Sequence, residues 1–228
     1  MSGTPPRERI AALRADAREV GELLAQQASS MTSEELFEVT GELQGVQNCA
    51  EGAQLVAAAH AASYETRLTE RGPVEVHHQV GFIDAMAGTE VSLATGVGQW
   101  AASRRVALGA AAVSRFPRLL RKVIDGDLAA ATVQKVVSVC EGLDDEACAK
   151  VEAALVSQIT DLDPGRVGAF TRRIATRVAS DQLRAVTRRT ACDRFVEVRP
   201  GSDGATWRTA LIPAATPATI STRRSRPV

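Results

Sequence analysis

Arginine is the side chain that this sequence offers most often for chemistry. The chain has 228 residues with 27 Lys+Arg and 27 Asp+Glu, and only three of its basic residues are lysines. A planar guanidinium can donate two parallel hydrogen bonds to a phosphate, so clustered arginines are typical of surfaces that contact nucleic acid. Two such clusters occur, one near Gln99–Val106 and one from Arg166 to Arg189.

The first cluster lies in a segment with the pattern of a helix-turn-helix. Val91–Val106 (VSLATGVGQWAASRRV) predicts a short helix, a turn at Gly96–Gly98 and a second helix. In this interpretation Trp100 packs inward. The side chains of the second helix that would face DNA, the first two reaching base edges and the arginines contacting phosphates, are Gln99, Ser103, Arg104 and Arg105. Any two helices joined by a glycine turn give the same pattern, and an ordinary structural pair is the alternative.

The second cluster lies on a further predicted helix. Its candidate phosphate contacts are Arg166, Arg172, Arg173 and Arg177. At helical spacing Arg166, Arg173 and Arg177 fall close to one face, and a merely solvated face is the alternative. Aromatic residues make up only 4% of the chain. None is interleaved with these arginines as single-strand binding requires, which argues against that class.

Groups for catalysis are scarce. The only histidines are His60, His77 and His78, and the chain has no GxGxxG, GxxxxGK[ST] or nucleophile-elbow motif. The cysteines form no C-x-x-C pair and are interpreted as ordinary thiols; they are Cys49, Cys140, Cys148 and Cys192. We therefore expect no catalytic residue, no metal and no cofactor.

The longest positioning element is predicted to begin at Thr32. Thr32 and Glu35 form the pattern of a capping box, and the helix is expected to run to about Arg67. One face repeats apolar residues at helical spacing: Leu36, Val39, Leu43, Val46, Ala50, Ala53 and Ala57. Internal glycines such as Gly52 could admit a partner helix. This helix could therefore mediate homo-oligomer formation, or it could pack within its own chain.

The remaining pattern predicts a mainly α fold: a multi-helix bundle with a long N-terminal helical hairpin and a C-terminal β-hairpin. Residues 1–30 are expected to form an N-terminal helix, and residues 31–190 a helical domain. Residues 191–212 are expected to form the β-hairpin, because two alternating segments flank Pro200–Gly204, whose residue types favour a turn. Residues 213–228 have no periodicity and are expected to be a disordered, frameshifted tail.

Charge is divided unevenly along the chain. Residues 1–90 carry 6 basic and 14 acidic side chains, whereas residues 91–228 carry 21 basic and 13 acidic ones. This division is compatible with a basic half that faces DNA, and equally with charge balance between packed helices. The N-terminal residues contain no apolar signal-peptide segment, and no run approaches 18 apolar residues. We expect a cytoplasmic protein with no membrane partner.

The stretch from Phe116 to Trp207 resembles the family of domain of unknown function 222 (DUF222), the actinobacterial thirteen-E-twelve repeat family. The segments that carry this resemblance are FPRLL from Phe116, GDLAAATVQKVV from Gly126, DLDPGRVGAF from Asp161 and DRFVEVRPGSDGATW from Asp193. The resemblance implies a helical region of the kind that usually precedes an HNH endonuclease domain. No histidine follows His78, so an HNH nuclease, which needs a histidine base, is not expected here.

The expectation for function follows from that resemblance. It is a non-catalytic, DNA-associated accessory domain of an HNH-endonuclease-like protein that is truncated before its nuclease part and is vestigial. Its partner would be duplex DNA. The alternative is a helical protein-interaction or self-association module, acting through the helix from Thr32, with no role in nucleic-acid binding.

Overall fold

The computed structural model describes residues 5–192, 195–200 and 206–211, and the fold over these residues is mainly helical, as predicted. The helices are α1 (Pro6–Gln27), α2 (Ser33–Ala61), α3 (Ala87–Thr95), α4 (Gln99–Arg115), α5 (Pro117–Ile124), α6 (Ala130–Val139), α7 (Asp145–Leu155), α8 (Val167–Val178) and α9 (Ser180–Cys192). The strands are β1 (Tyr64–Thr69), β2 (Gly72–His77), β3 (Phe195–Pro200) and β4 (Thr206–Leu211).

The main core lies among α4, α5, α6, α7 and α8, with the C-terminal half of α2 packed on one side. Phe116 and Leu119 are completely buried between α4 and α5, and Val133 and Leu155 bring α6 and α7 against them. Because these side chains recur at helical spacing, each short helix turns one apolar face inward. This core fixes α4 and α8, the two helices that carry the predicted arginine clusters.

Helix α2 begins as predicted and carries two different faces. Thr32 Oγ1 accepts a hydrogen bond from the backbone N–H of Glu35, whose carboxylate in turn accepts one from the Thr32 N–H. The side that packs on the core carries its buried residues: Asn48, Gly52, Leu55, Ala58 and Ala59. The apolar residues that the sequence pattern predicts as one face lie on roughly the opposite side of the helix. We call them the outer stripe: Leu36, Val39, Leu43, Val46, Ala50, Ala53 and Ala57.

The outer stripe is mostly exposed to solvent. Leu36 and Val39 are half-buried, and the other five residues are exposed, with Leu43 at 43% and Val46 at 47%. Helix α1, which precedes α2 through a short 3-10 turn at Ala28–Ser30, buries none of its side chains. Neither α1 nor the outer stripe therefore belongs to the core of a single copy.

Glycine allows α2 to approach its neighbours closely. A Cβ on Gly52 would lie 2.9 Å from the backbone nitrogen of Ile124 in α5, and one on Gly109 of α4 would clash with the Leu55 carbonyl oxygen. A Cβ on Gly41, by contrast, would meet no atom within 4 Å. The predicted close approach of a partner helix thus occurs at Gly52, and the partner is α5 of the same chain.

The predicted extension of α2 to Arg67 is wrong, because the helix ends at Ala61. Residues 64–77 form an antiparallel hairpin in which Tyr64 pairs with His77 and Thr69 with Gly72. Gly72 has a φ of 109°, a conformation that glycine adopts without strain. The hairpin is closed by polar contacts: Glu65 accepts hydrogen bonds from Arg67 at 2.9 Å and from His78 at 2.7 Å, and these bonds lower its pKa to about 2.

The C-terminal β-hairpin is confirmed. Strand β3 pairs antiparallel with β4, with Phe195 opposite Leu211 and Pro200 opposite Thr206. The tail predicted at residues 213–228 lies outside the described residues. Among the helices that the structure describes, none is long and apolar enough to cross a membrane.

Candidate nucleic-acid interface

The predicted helix-turn-helix segment does fold as two helices joined by a glycine turn. Gly96 ends α3 in the left-handed conformation, with a φ of 71°, and its N–H donates to the Ser92 carbonyl at 2.9 Å. The Ser92 hydroxyl donates to the carbonyl of Val97 at 2.7 Å, and Gly98 then starts α4. The turn between α3 and α4 is thus fixed by its own hydrogen bonds.

Gln99 and Ser103, the two candidates for base contact, are both engaged with α3. The Gln99 amide donates to the Thr89 hydroxyl at 3.1 Å. Ser103 lies against Gly88, whose missing side chain leaves room for the Ser103 hydroxyl. These contacts hold α3 and α4 together, so reading a base would require Gln99 to give up its bond to Thr89.

Trp100 does not pack inward, as its sequence context predicts, but is 71% exposed. The Arg104 guanidinium lies 4.6 Å from the centre of its ring, in a cation–π contact. With its amide oxygen turned toward α4, Gln134 of α6 accepts hydrogen bonds from Arg104, including one from Nε at 3.1 Å. Trp100 stays at the surface because its ring faces a guanidinium that is itself held at the edge of α6.

A cleft runs between α4 and α6 beneath this arginine. Its first part, about 290 Å³, is lined by Trp100, Arg104, half-buried Arg105 and Gln134, with Glu51 of α2 on the far wall. A second part of about 410 Å³ shares Arg104, Leu108 and Gln134 with the first and continues toward Arg115. Neither Arg104 nor Arg105 forms an ion pair with a carboxylate of the described chain.

The arginines of α8 differ from those of α4 because they project into solvent. Val167, Thr171 and Ala175 form the buried side of α8. The exposed arginines are Arg166, Arg172, Arg173 and Arg177. Helical geometry brings Arg166, Arg173 and Arg177 within about 40° of one another around the axis and places Arg172 about 100° from Arg173. Over the described residues, no salt bridge neutralises any of these four.

Helix α9 adds to this basic surface. A groove of about 390 Å³ lies between α8 and α9, lined by Thr176, Ser180 and Leu183 together with Arg184 and Arg188. Both of these arginines are exposed. We call Arg166, Arg173 and Arg177 with these two the basic face. The arginines of α4 are on a separate helix, with α6 packed against both α4 and α8.

Arg115 is a functional candidate that the sequence did not single out, and its contacts are internal. Its guanidinium donates to Asp145 at 3.0 Å, to the Leu143 carbonyl and to the Cys148 sulfur at 2.9 Å. A hydrogen bond from the Cys140 thiol and the charge of Arg115 lower the pKa of Cys148, while the same bond and burial raise that of Cys140. Both thiols are completely buried, so this cluster ties α4 to the α6–α7 connection.

No arrangement for hydrolysis is evident in the described part of the chain. It contains no group of three or more His, Cys, Asp or Glu side chains placed to hold a metal ion. The buried carboxylate of Glu152 accepts the backbone N–H groups of Arg118 and Leu119, at 2.8 and 2.9 Å, and so caps α5. The chemistry that remains at the surface is that of guanidinium groups and one exposed indole.

Comparison with known proteins assigns the chain to a family. No curated protein matches the sequence, and no solved structure matches it either. A family model, described as domain of unknown function (DUF222), matches residues 46–226. This range spans most of the chain and takes in α4, the whole basic face and both strands of the C-terminal hairpin. The chain therefore belongs to the DUF222 family.

Proposed function

We propose that this domain is a non-catalytic accessory module that holds duplex DNA through its basic face, as part of an HNH-endonuclease-like system. The observation that carries the proposal is the exposure of Arg166, Arg173 and Arg177 on one side of α8 with no carboxylate paired to them in the described residues. Unpaired guanidinium groups on a rigid helix are available to phosphate oxygens without first breaking an internal ion pair.

The span of the basic face suits a nucleic-acid backbone. Arg166 and Arg177 are eleven residues apart, which corresponds to about 16 Å along a helix with a rise of 1.5 Å per residue. Phosphates of one strand of B-DNA are spaced by about 3.4 Å along the duplex axis, so this distance covers roughly five base pairs. Arg184 and Arg188 extend the face onto α9.

The proposed contacts are to the backbone rather than to bases. Gln99 is bonded to Thr89, and Ser103 packs on Gly88. Arg104, Arg105 and Arg172 are secondary contacts in this proposal, because Arg104 is already held by Trp100 and Gln134 and Arg105 is half-buried. Backbone contact supplies affinity and little sequence preference.

A salt titration tests the proposal. Binding of the full chain to a fluorescein-labelled duplex of about 20 base pairs is followed by anisotropy over a range of salt concentrations. The triple variant R166Q/R173Q/R177Q should bind more weakly at low salt. The slope of log K against log salt should become shallower by about 3, since each phosphate contact contributes about 0.9.

The matched control is R7Q/R9Q/R18Q on α1. It removes the same number of charges from exposed arginines that also have no ion pair in the described chain. The control should leave the slope within one of the parent value. Undetectable binding by the parent at low salt would overturn the proposal, and so would an equal change of slope in both triple variants.

A second candidate function is supported by the outer stripe of α2. Leu43 and Val46 are large, apolar and nearly half exposed, and Phe37 beside them is 77% exposed. An apolar surface of this kind is typical of a helix that associates with another chain. We therefore also propose self-association through the helix from Thr32, to be measured by light scattering after size-exclusion chromatography.

A further inference from the structure

Helices α1 and α2 carry apolar stripes with the same spacing. On α1 the stripe runs through Ile10, Leu13, Ala17, Val20 and Leu24, at alternating intervals of three and four residues. The outer stripe of α2 repeats these intervals from Leu36 onward. This is the a and d pattern of a coiled coil, and each five-residue stripe extends about 21 Å at 1.5 Å per residue.

Most of both stripes is open to solvent in a single copy. On α1, Ile10 is 57% exposed and Leu13 is 49% exposed, and no residue of this 22-residue helix is buried. An isolated helix is only marginally stable in water, because most helical stability in proteins comes from packing an apolar face. Helix α1 therefore calls for a partner that its own core does not provide.

The charged residues beside the stripes indicate which partner fits. With Ile10 and Leu36 at a positions, Arg7 and Arg14 occupy the e positions of α1, and Glu35 and Glu42 occupy the g positions of α2. In a parallel pair of helices, g residues of one helix lie beside e residues of the other, and opposite charges there set partner and orientation. The arginine edge of α1 thus matches the glutamate edge of α2 in a parallel arrangement.

That arrangement is not available within one chain. Only residues 28–32 separate α1 from α2, so packing α1 along its own α2 would make the helices antiparallel. In an antiparallel pair g residues face g residues, which would place Asp16 of α1 near Glu42 of α2 and oppose like charges. The parallel match requires α1 from a second copy.

We propose that two copies of this chain dimerise by laying α1 of each copy parallel along the outer stripe of the other. Pairing Glu42 with Arg14 aligns Leu43 with Ile10 and Val46 with Leu13. The same alignment sets the small outer-stripe residues Ala53 and Ala57 against the larger side chains of α1. The inference deepens the second candidate function and does not rest on the proposed contact with DNA.

Substitutions in the two stripes test whether they meet. The oligomeric state of the full chain is measured by sedimentation equilibrium up to about 100 μM. L43D and I10D should each raise the dimer dissociation constant at least about a hundredfold, because each places a carboxylate in the apolar seam. L93D is the matched control: Leu93 is 81% exposed on α3, outside both stripes, and its replacement should leave the constant unchanged within about twofold.

A charge exchange tests the pairing of α1 with α2. E42R and R14E should each weaken the dimer by about threefold or more, and the double variant E42R/R14E should recover the parent constant within about twofold. A chain that is monomeric at the highest concentration overturns the inference. A dimer that is indifferent to I10D, or one that E42R/R14E does not restore, also overturns it while leaving self-association through α2 alone in place.

The result is independent of the DNA experiment. A monomer whose salt slope still responds to R166Q/R173Q/R177Q would overturn only the dimer. A dimer with no affinity for the duplex would overturn only the DNA-binding proposal.

Discussion

At the scale of single residues, the arginines of this chain divide into held and free ones. Arg104 lies on the Trp100 ring and bonds Gln134, and Arg115 is fixed among Leu143, Asp145 and Cys148. Arg173, by contrast, meets only solvent in the described part of the chain. A guanidinium that is already satisfied must exchange bonds to take a phosphate, whereas a solvated one exchanges only water.

Glu152 provides a residue-scale prediction about stability. It is 4% exposed, and its carboxylate accepts the two N–H groups that begin α5. Burial raises the pKa of this carboxyl above its ordinary value. E152A leaves both N–H groups without a partner and should lower the free energy of unfolding by about 2–3 kcal/mol. E152Q keeps an acceptor oxygen and should cost less than about 1 kcal/mol. Urea denaturation at neutral pH measures both, and equal losses would contradict this role.

The sequence predicts the free arginines better than the held ones. The helical spacing of Arg166, Arg173 and Arg177 is local information, and their exposure on one face follows from it. The position of Trp100 depends on Gln134, which is more than thirty residues away and on another helix. Because the indole lies where α4 meets α6, no pattern within α4 reveals that it is exposed.

At the scale of elements, the helices and the C-terminal hairpin could be predicted, and the hairpin of β1 and β2 could not. Arg71–Gly72–Pro73 does mark a break in the chain. However, five of the six residues of β1 are exposed, so the strand shows none of the apolar alternation that reveals a half-buried strand. The hairpin is held by its backbone register and by Glu65 instead.

The glycines of α2 supply an element-scale prediction. G52A would place a methyl group 2.9 Å from the Ile124 nitrogen, and since backbone cannot move aside cheaply, it should lower the free energy of unfolding by about 2 kcal/mol or more. G41A lies in the same helix with open space around it and should raise that free energy by about 0.5–1 kcal/mol, through helix propensity. Thermal denaturation of both variants measures the difference. Two variants of equal stability would show that α2 does not approach α5 this closely.

At the scale of the whole molecule, the two proposed activities occupy different parts of the chain. Residues 1–90, with their excess of acidic side chains, contain α1 and the outer stripe, whereas the basic face lies entirely within residues 91–228. Both the stripe and the charge division are visible in the sequence. Which face of α2 meets the core is not, because a stripe of leucine, valine and alanine suits a folded interior and a subunit interface equally well.

The absence of buried side chains from α1 has a consequence for how the molecule melts. In dilute solution this helix has only its own backbone hydrogen bonds to sustain it, so gentle warming should erode part of the far-ultraviolet circular dichroism gradually, before the cooperative transition of the core. Raising the protein concentration should postpone that early loss and leave the later transition where it was. A single sigmoidal transition at every concentration would mean that α1 and the core unfold as one unit.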